Sequence, residues 1–135
     1  MKKILFTLLV ITIALSACSS KKTATKENIN PNLIISDPAK KLEAAAGNEF
    51  KIVIDSNPTT GYHWEIIGKL DANVVKFISK DFKGSEPVMP GSGGRDIFTF
   101  KALKTGQTLI TLGYYPPSND PVEPQQTVTF TVTVK

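Results

Sequence analysis

Thr127-Val128-Thr129-Phe130-Thr131-Val132-Thr133-Val134 alternates hydroxylated and apolar residues without a break. In an extended chain successive side chains point to opposite faces. Val128, Phe130, Val132 and Val134 therefore share one face, and the four threonines share the other. A helix would scatter both sets around its axis. β-Branched and aromatic residues also suit a pleated, half-buried surface. The same period recurs in Phe50, Ile52 and Ile54, in Phe98, Phe100 and Ala102, and in Thr108, Ile110, Leu112 and Tyr114. Val74-Val75-Lys76-Phe77-Ile78 reads as a further strand. Gly, Pro and Asn clusters separate these runs, and Lys104-Thr105-Gly106-Gln107 has the composition of a hairpin turn. There is neither an internal repeat nor a heptad pattern. The expected fold is all-β, an antiparallel β-sandwich.

The chain ahead of this domain reads differently. Lys2 and Lys3 precede an apolar run from Ile4 to Ala14, too short to span a bilayer comfortably. Leu15-Ser16-Ala17-Cys18 has the shape of a bacterial lipobox. Residues 1–17 are thus expected to be a signal peptide, with Cys18 lipidated, as by palmitate, after cleavage. It is the only cysteine of the chain, so no disulfide forms within one chain. Residues 18–32 are polar and read as a tether. Residues 33–135 make one domain of ordinary size. The expected place is the bacterial cell envelope, lipid-anchored to a membrane and facing the periplasm or exterior.

Formal charge follows the same division. The chain carries 16 Lys and Arg against 12 Asp and Glu, a net +4. Five lysines and Glu27 lie before Leu33 and account for the whole excess, so the domain is neutral with 11 of each sign. That argues against a nucleic-acid surface. Chemistry is equally thin. His63 is the single histidine, between Tyr62 and Trp64 in a strand. No Cys/His cluster offers metal ligands. Gly91-Ser92-Gly93-Gly94 lacks the Lys-Ser/Thr of a phosphate loop and leads into a strand. The expectation is a non-enzyme with no metal and no cofactor, acting as a monomer.

What stands out is Asn57-Pro58-Thr59-Thr60-Gly61-Tyr62-His63-Trp64. Asn-Pro opens a turn, because proline fixes its own φ and pushes Asn57 toward extended geometry. Gly61 admits a backbone conformation that a β-carbon would penalise. Two small hydroxylated residues lie at the tip, and apolar strands flank the turn on both sides. A tight, nearly uncharged loop of this kind suits insertion into another molecule's groove. The stretch resembles the first signature loop of the chagasin-like inhibitors of cysteine peptidases. Pro90-Gly91-Ser92-Gly93-Gly94 resembles their glycine-rich second loop, followed by the Phe98-Thr99-Phe100 strand. Leu112-Gly113-Tyr114-Tyr115-Pro116-Pro117 falls where that family has its third loop, usually Tyr-x-Arg-Pro-Trp. Here the arginine and the large aromatic are absent. Pro116 and Ser118 stand in their places if Tyr114 sets the register. The resemblance covers about Lys41 to Lys135.

The resemblance implies an immunoglobulin-like sandwich of about seven to eight strands, in which such alternate connections gather at one end. It also implies a function. Asn57, Pro58, Thr59, Thr60, Gly61 and Tyr62, with Gly91, Ser92, Gly93 and Gly94 and with Tyr115, Pro116 and Pro117, would contact a papain-like cysteine peptidase. The Thr59-Thr60-Gly61 tip would cover the enzyme's nucleophile and histidine reversibly, and the other loops would brace it. The alternative is a lipid-anchored immunoglobulin-like module that binds another ligand or supports an envelope assembly. The departed third loop is its best argument. One stretch reads two ways: residues 37–47 carry helix signals (Asp37, Pro38, an alanine run, Gly47), whereas the resemblance puts a strand near Leu42 to Ala45. Strand is the reading adopted.

Overall fold

Phe130, Val132 and Val134 are almost wholly buried while Thr127 and Thr129 are exposed, so the alternation of the last segment becomes the inner and outer faces of a strand. The structure is a computed structural model that describes residues 33–135. The expectations placed on the signal peptide, Cys18 and the tether lie outside the described residues.

Eight strands follow in order: β1 (Leu33–Ile35), β2 (Leu42–Ala44), β3 (Glu49–Ser56), β4 (His63–Ile67), β5 (Val75–Gly84), β6 (Gly94–Ala102), β7 (Gly106–Tyr115) and β8 (Gln126–Val134). A 3-10 turn, Pro58–Thr60, lies between β3 and β4. One sheet has the order β1-β3-β6-β5 and the other β2-β8-β7-β4. Phe50, Ile52, Phe98 and Phe100 from the first sheet meet Ile110, Leu112, Phe130 and Val132 from the second in one core. Phe50 stacks on Phe100 at 5.4 Å, and Phe77 meets the same ring edge-on at 5.6 Å. The fully buried rings, Phe50 and Phe100, each contribute about 2–3 kcal/mol by leaving water.

The all-β sandwich agrees with the alternation, with one refinement. The interior pairings are antiparallel, but the short edge strands are parallel to their neighbours, β1 to β3 and β2 to β8. The chain runs up one sheet in β1, crosses at residues 36–41 and returns down the other in β2. The crossing absorbs the helix signals. Asp37 accepts from Ala39 N at 2.9 Å through its carboxylate and from Lys40 N at 3.1 Å through its carbonyl, a single turn. Ala44 is then buried, and its carbonyl accepts from Lys135 N at 2.9 Å. Burial against β8 outweighs alanine's helix propensity.

β5 extends well beyond Ile78, to Gly84. Its register against β6 slips between Phe77 and Ser79, placing Ile78 in a bulge. The bulge turns Lys80 inward, opposite Phe98. There Lys80 Nζ lies 3.2 Å from the buried Asp96 carboxylate, donates to Trp64 O at 2.8 Å and sits 5.3 Å from the centre of the Phe98 ring. One side chain thus ties the free edge of β5 to β4 in the opposite sheet.

Strands β3, β5 and β7 all run toward the same end of the sandwich, so the connections at residues 57–62, 85–93 and 116–125 share it. The chain enters the domain at the other end, where Leu33 pairs with Phe50.

Candidate functional site

The first loop is held by its own side chains. Asn57 Oδ1 accepts from Thr59 N at 3.3 Å and from Thr59 Oγ1 at 2.6 Å. The Asn57 carbonyl accepts from Thr60 N at 3.2 Å and Thr60 Oγ1 at 2.7 Å. Proline opens the 3-10 turn, where its missing N–H costs nothing. Gly61 N donates to Pro58 O at 3.0 Å, and Gly61 takes φ +80°, a left-handed conformation that favours glycine. The turn leaves Pro58, Thr59, Thr60 and Gly61 exposed, with Asn57 and Tyr62 half-buried at its feet. Below, the Trp64 indole N–H donates to Asp55 O at 3.0 Å, clamping β3 to β4. Tyr114 packs its ring between Trp64 at 4.8 Å and Tyr62 at 5.1 Å. Loops one and three therefore rise from one aromatic base.

The second loop folds back on itself. Ser92 N donates to Met89 O at 2.9 Å, Met89 N donates to Ser92 Oγ at 3.2 Å, and Gly91 takes φ +78°. Its neck closes through Ser85 N to Gly93 O at 3.0 Å. In the third loop Asp120 N donates to Ser118 Oγ at 3.1 Å, and Gln125 N closes onto Tyr114 O at 2.8 Å.

Two contacts join the three segments. Asn57 Nδ2 donates to Gly91 O at 3.3 Å, and a β-carbon at Gly93 would stand 2.9 Å from Ser56 O. A β-carbon at Gly61 would stand 2.9 Å from Pro117 Cβ. Loop one is therefore central, touching loop two on one side and loop three on the other. The residues expected to bind gather at one end but divide by exposure. Thr59, Thr60, Gly61, Gly91 and Pro117 face solvent; Ser92, Gly93, Tyr115 and Pro116 are half-buried. Gly94 begins β6, where the Phe82 ring and Lys83 O leave no room for a side chain, so its place is structural.

Sequence reasoning missed Val88 and Met89, 81% and 61% exposed in the second loop. Two large apolar side chains between Pro87 and Pro90, in a loop too short to bury them, were the available signal. His63 is exposed, with Nε2 3.1 Å from Glu65 Oε1 and its ring 6.0 Å from that of Tyr115. It borders the site without forming a catalytic pair with a nucleophile.

Known proteins share both the sequence and the fold. Residues 43–134 match the family described as Chagasin family peptidase inhibitor I42. Amoebiasin-2 of Entamoeba histolytica is 36% identical over 89 residues, 63% of this chain and 69% of that protein. The crystal structure of a cysteine protease inhibitor from Entamoeba histolytica superposes with a TM-score of 0.62 at 27% identity, covering 77% of this chain and 96% of its own. The solution structure of amebosin gives 0.56 at 25% identity, with 77% and 96% covered. PbICP-C, solved in complex with falcipain-2, has the same fold at 19% identity and a TM-score of 0.54, with 77% and 98% covered. Members of this family are inhibitors, not enzymes, in keeping with a site built from turns and glycines instead of acids, bases and nucleophiles. The chain belongs to the chagasin family of peptidase inhibitors.

Proposed function

We propose that the three-loop end enters and blocks the active-site cleft of a papain-like cysteine peptidase, reversibly and without a covalent bond. The observation that carries this reading is the joining of three separate connections into one wedge, through Asn57 to Gly91 and Gly61 to Pro117. A surface ordered before contact loses little entropy on binding. An interface of standard size, about 1,600 Å² in total, would use all three loops.

The shape of the tip also explains how an inhibitor can fill the cleft without being cut. Peptidases of this class take substrates as extended strands. Here the tip is a 3-10 turn that bends away at Gly61 in the left-handed region. Extending it would break Thr60 N to Asn57 O and Gly61 N to Pro58 O. The tip therefore covers the nucleophile and histidine while its own peptide bonds stay out of register. Val88 and Met89 supply apolar surface on one flank, and Tyr115 with Pro116 and Pro117 on the other.

The decisive experiment is titration of purified papain-like peptidases with the 33–135 domain. Inhibition should reverse on dilution, and the inhibitor should remain intact on a gel. Absence of inhibition, or cleavage within residues 58–61 at the pace of a substrate, would overturn the reading.

The protein works from a membrane of the bacterial cell envelope. Residues 1–17 are removed, Cys18 carries the lipid, and residues 18–32 link it to the domain. The basic start, the apolar run and the placement of the sole cysteine support this.

A further inference from the structure

The domain is neutral as a whole but not along its length. The register assigns residues 52–67, 80–98 and 111–129 to the half that carries the loops. That half holds seven carboxylates and three cations, a formal net of −4. Two of the three cations are engaged, Lys80 by Asp96 and Arg95 by Asp55. The opposite half, residues 42–51, 68–79, 99–110 and 130–135, holds six lysines and three carboxylates, a formal net of +3. Residues 33–41 contribute the remaining +1.

The lysines of that opposite half are also less neutralised. Among the described residues, Lys135 pairs with Glu43, but Lys69, Lys76, Lys101 and Lys104 are exposed and in no ion pair. Lys76 stands directly across from Lys101 in the β5–β6 ladder, with Glu49 across from Lys101 on its β3 side and at no ion-pair distance. The Lys76–Lys101 pair is a like-charge neighbour that one flanking carboxylate only partly offsets, leaving this end of the sheet positive. Leu33 enters at this same end, opposite Phe50, six residues before Ser56 and so about 20 Å from the loops.

We infer that the lysine-bearing end rests on an anionic lipid surface, holding the acidic, loop-bearing end outward where a peptidase can reach it. This rests on the lipid anchor proposed above, and gives that anchor a direction. The anchor brings the domain to the membrane. Lys69, Lys76, Lys101 and Lys104 select its lower end, while repulsion of the carboxylates lifts the upper end.

The test needs neither the anchor nor a peptidase to report on the lipid contact. The described core lies wholly between Ile35 and Val134, so the 33–135 domain is used, and it contains no cysteine. Its sedimentation is measured with phosphatidylcholine vesicles, with and without phosphatidylglycerol. Binding should require phosphatidylglycerol and fall at least tenfold between about 50 and 500 mM salt, as the Debye length shrinks. Replacing the four lysines by Gln should remove at least tenfold of the affinity, each lysine near such a surface being worth roughly fivefold. The same variant should unfold cooperatively with the parent's Tm to within a few degrees, which establishes that it is folded. A fluorophore at Thr105→Cys should be quenched by lipid-borne quencher, and one at Asp120→Cys should not. Equal binding to both vesicles, unchanged binding of the lysine variant, or stronger quenching at position 120 would each overturn the inference. None of these results touches the inhibition assay, so the two readings fail separately.

Discussion

Gly61→Ala, set beside Gly47→Ala, separates the shape of the binding surface from the stability of the domain. Both glycines hold left-handed backbone, at φ +80° and +89°. Giving either one a β-carbon costs about 1–2 kcal/mol of conformational strain. Their surroundings differ. Nothing lies within 4 Å of a β-carbon at position 47, whereas at 61 it would stand 2.9 Å from Pro117 Cβ and 3.2 Å from Pro117 Cγ. Contacts that close do not survive, so loops one and three must part by several tenths of an ångström. Gly47→Ala should lower stability by about 1–2 kcal/mol, or roughly 4–16 °C in Tm for a domain of this size, and leave inhibition unchanged. Gly61→Ala should lose a similar amount of stability. Its inhibition constant should rise at least tenfold, about 1.4 kcal/mol, because the wedge no longer has its bound shape. The assays are chemical denaturation and steady-state inhibition of a papain-like peptidase. An unchanged inhibition constant for Gly61→Ala would refute the claim that the seam between loops one and three is part of the binding surface. A rise of equal size for Gly47→Ala would assign the loss to the whole fold.

Other substitutions probe the remaining parts. Thr60→Glu puts a charge at an exposed tip that must enter a closed cleft, and should weaken inhibition at least tenfold with little change in Tm. Tyr115→Ala should cost less than Thr60→Glu against each of several papain-like peptidases, since the third loop lacks its family's arginine and large aromatic; the reverse order throughout would give recognition to the third loop. Lys80→Met leaves the buried Asp96 carboxylate unpaired and should destabilise the domain by about 2–3 kcal/mol, discounted from a fully buried pair because Lys80 is one-third exposed. The double variant with Asp96→Leu should recover most of that loss in a denaturation experiment. Cys18→Ser should abolish incorporation of radiolabelled fatty acid; equal labelling of variant and parent would remove the lipoprotein reading.

How much of this was legible in the sequence depends on whether a feature is local. The inner faces of β3, β6, β7 and β8 could be read because period-two alternation survives in each, as in Phe50-Lys51-Ile52 and Phe98-Thr99-Phe100. The first loop was legible because Asn-Pro and Gly state their backbone preferences directly. The outer half of β5 was not, since the bulge at Ile78 resets the phase and an edge strand buries too little to mark one face. Residues 37–47 carry local helix signals, and the strand adopted there on the resemblance is what forms, because burial of Leu42 and Ala44 against β8 outweighs local propensity. The seams of the wedge were invisible. Gly61 meets Pro117, and Asn57 meets Gly91, across separations that no local pattern encodes.

The inward turn of Lys80 bears on how copies of this protein behave in company. The free side of a ten-residue strand is a template on which a neighbour's strand could add, and a chain of such additions is a fibre. A newcomer on β5 would meet a bulge that interrupts the ladder and a lysine already committed to Asp96 and Trp64 O. The side chain that fastens the sandwich shut is thus also one of the devices that discourage edge-to-edge growth, an inward-pointing charge beside a bulge.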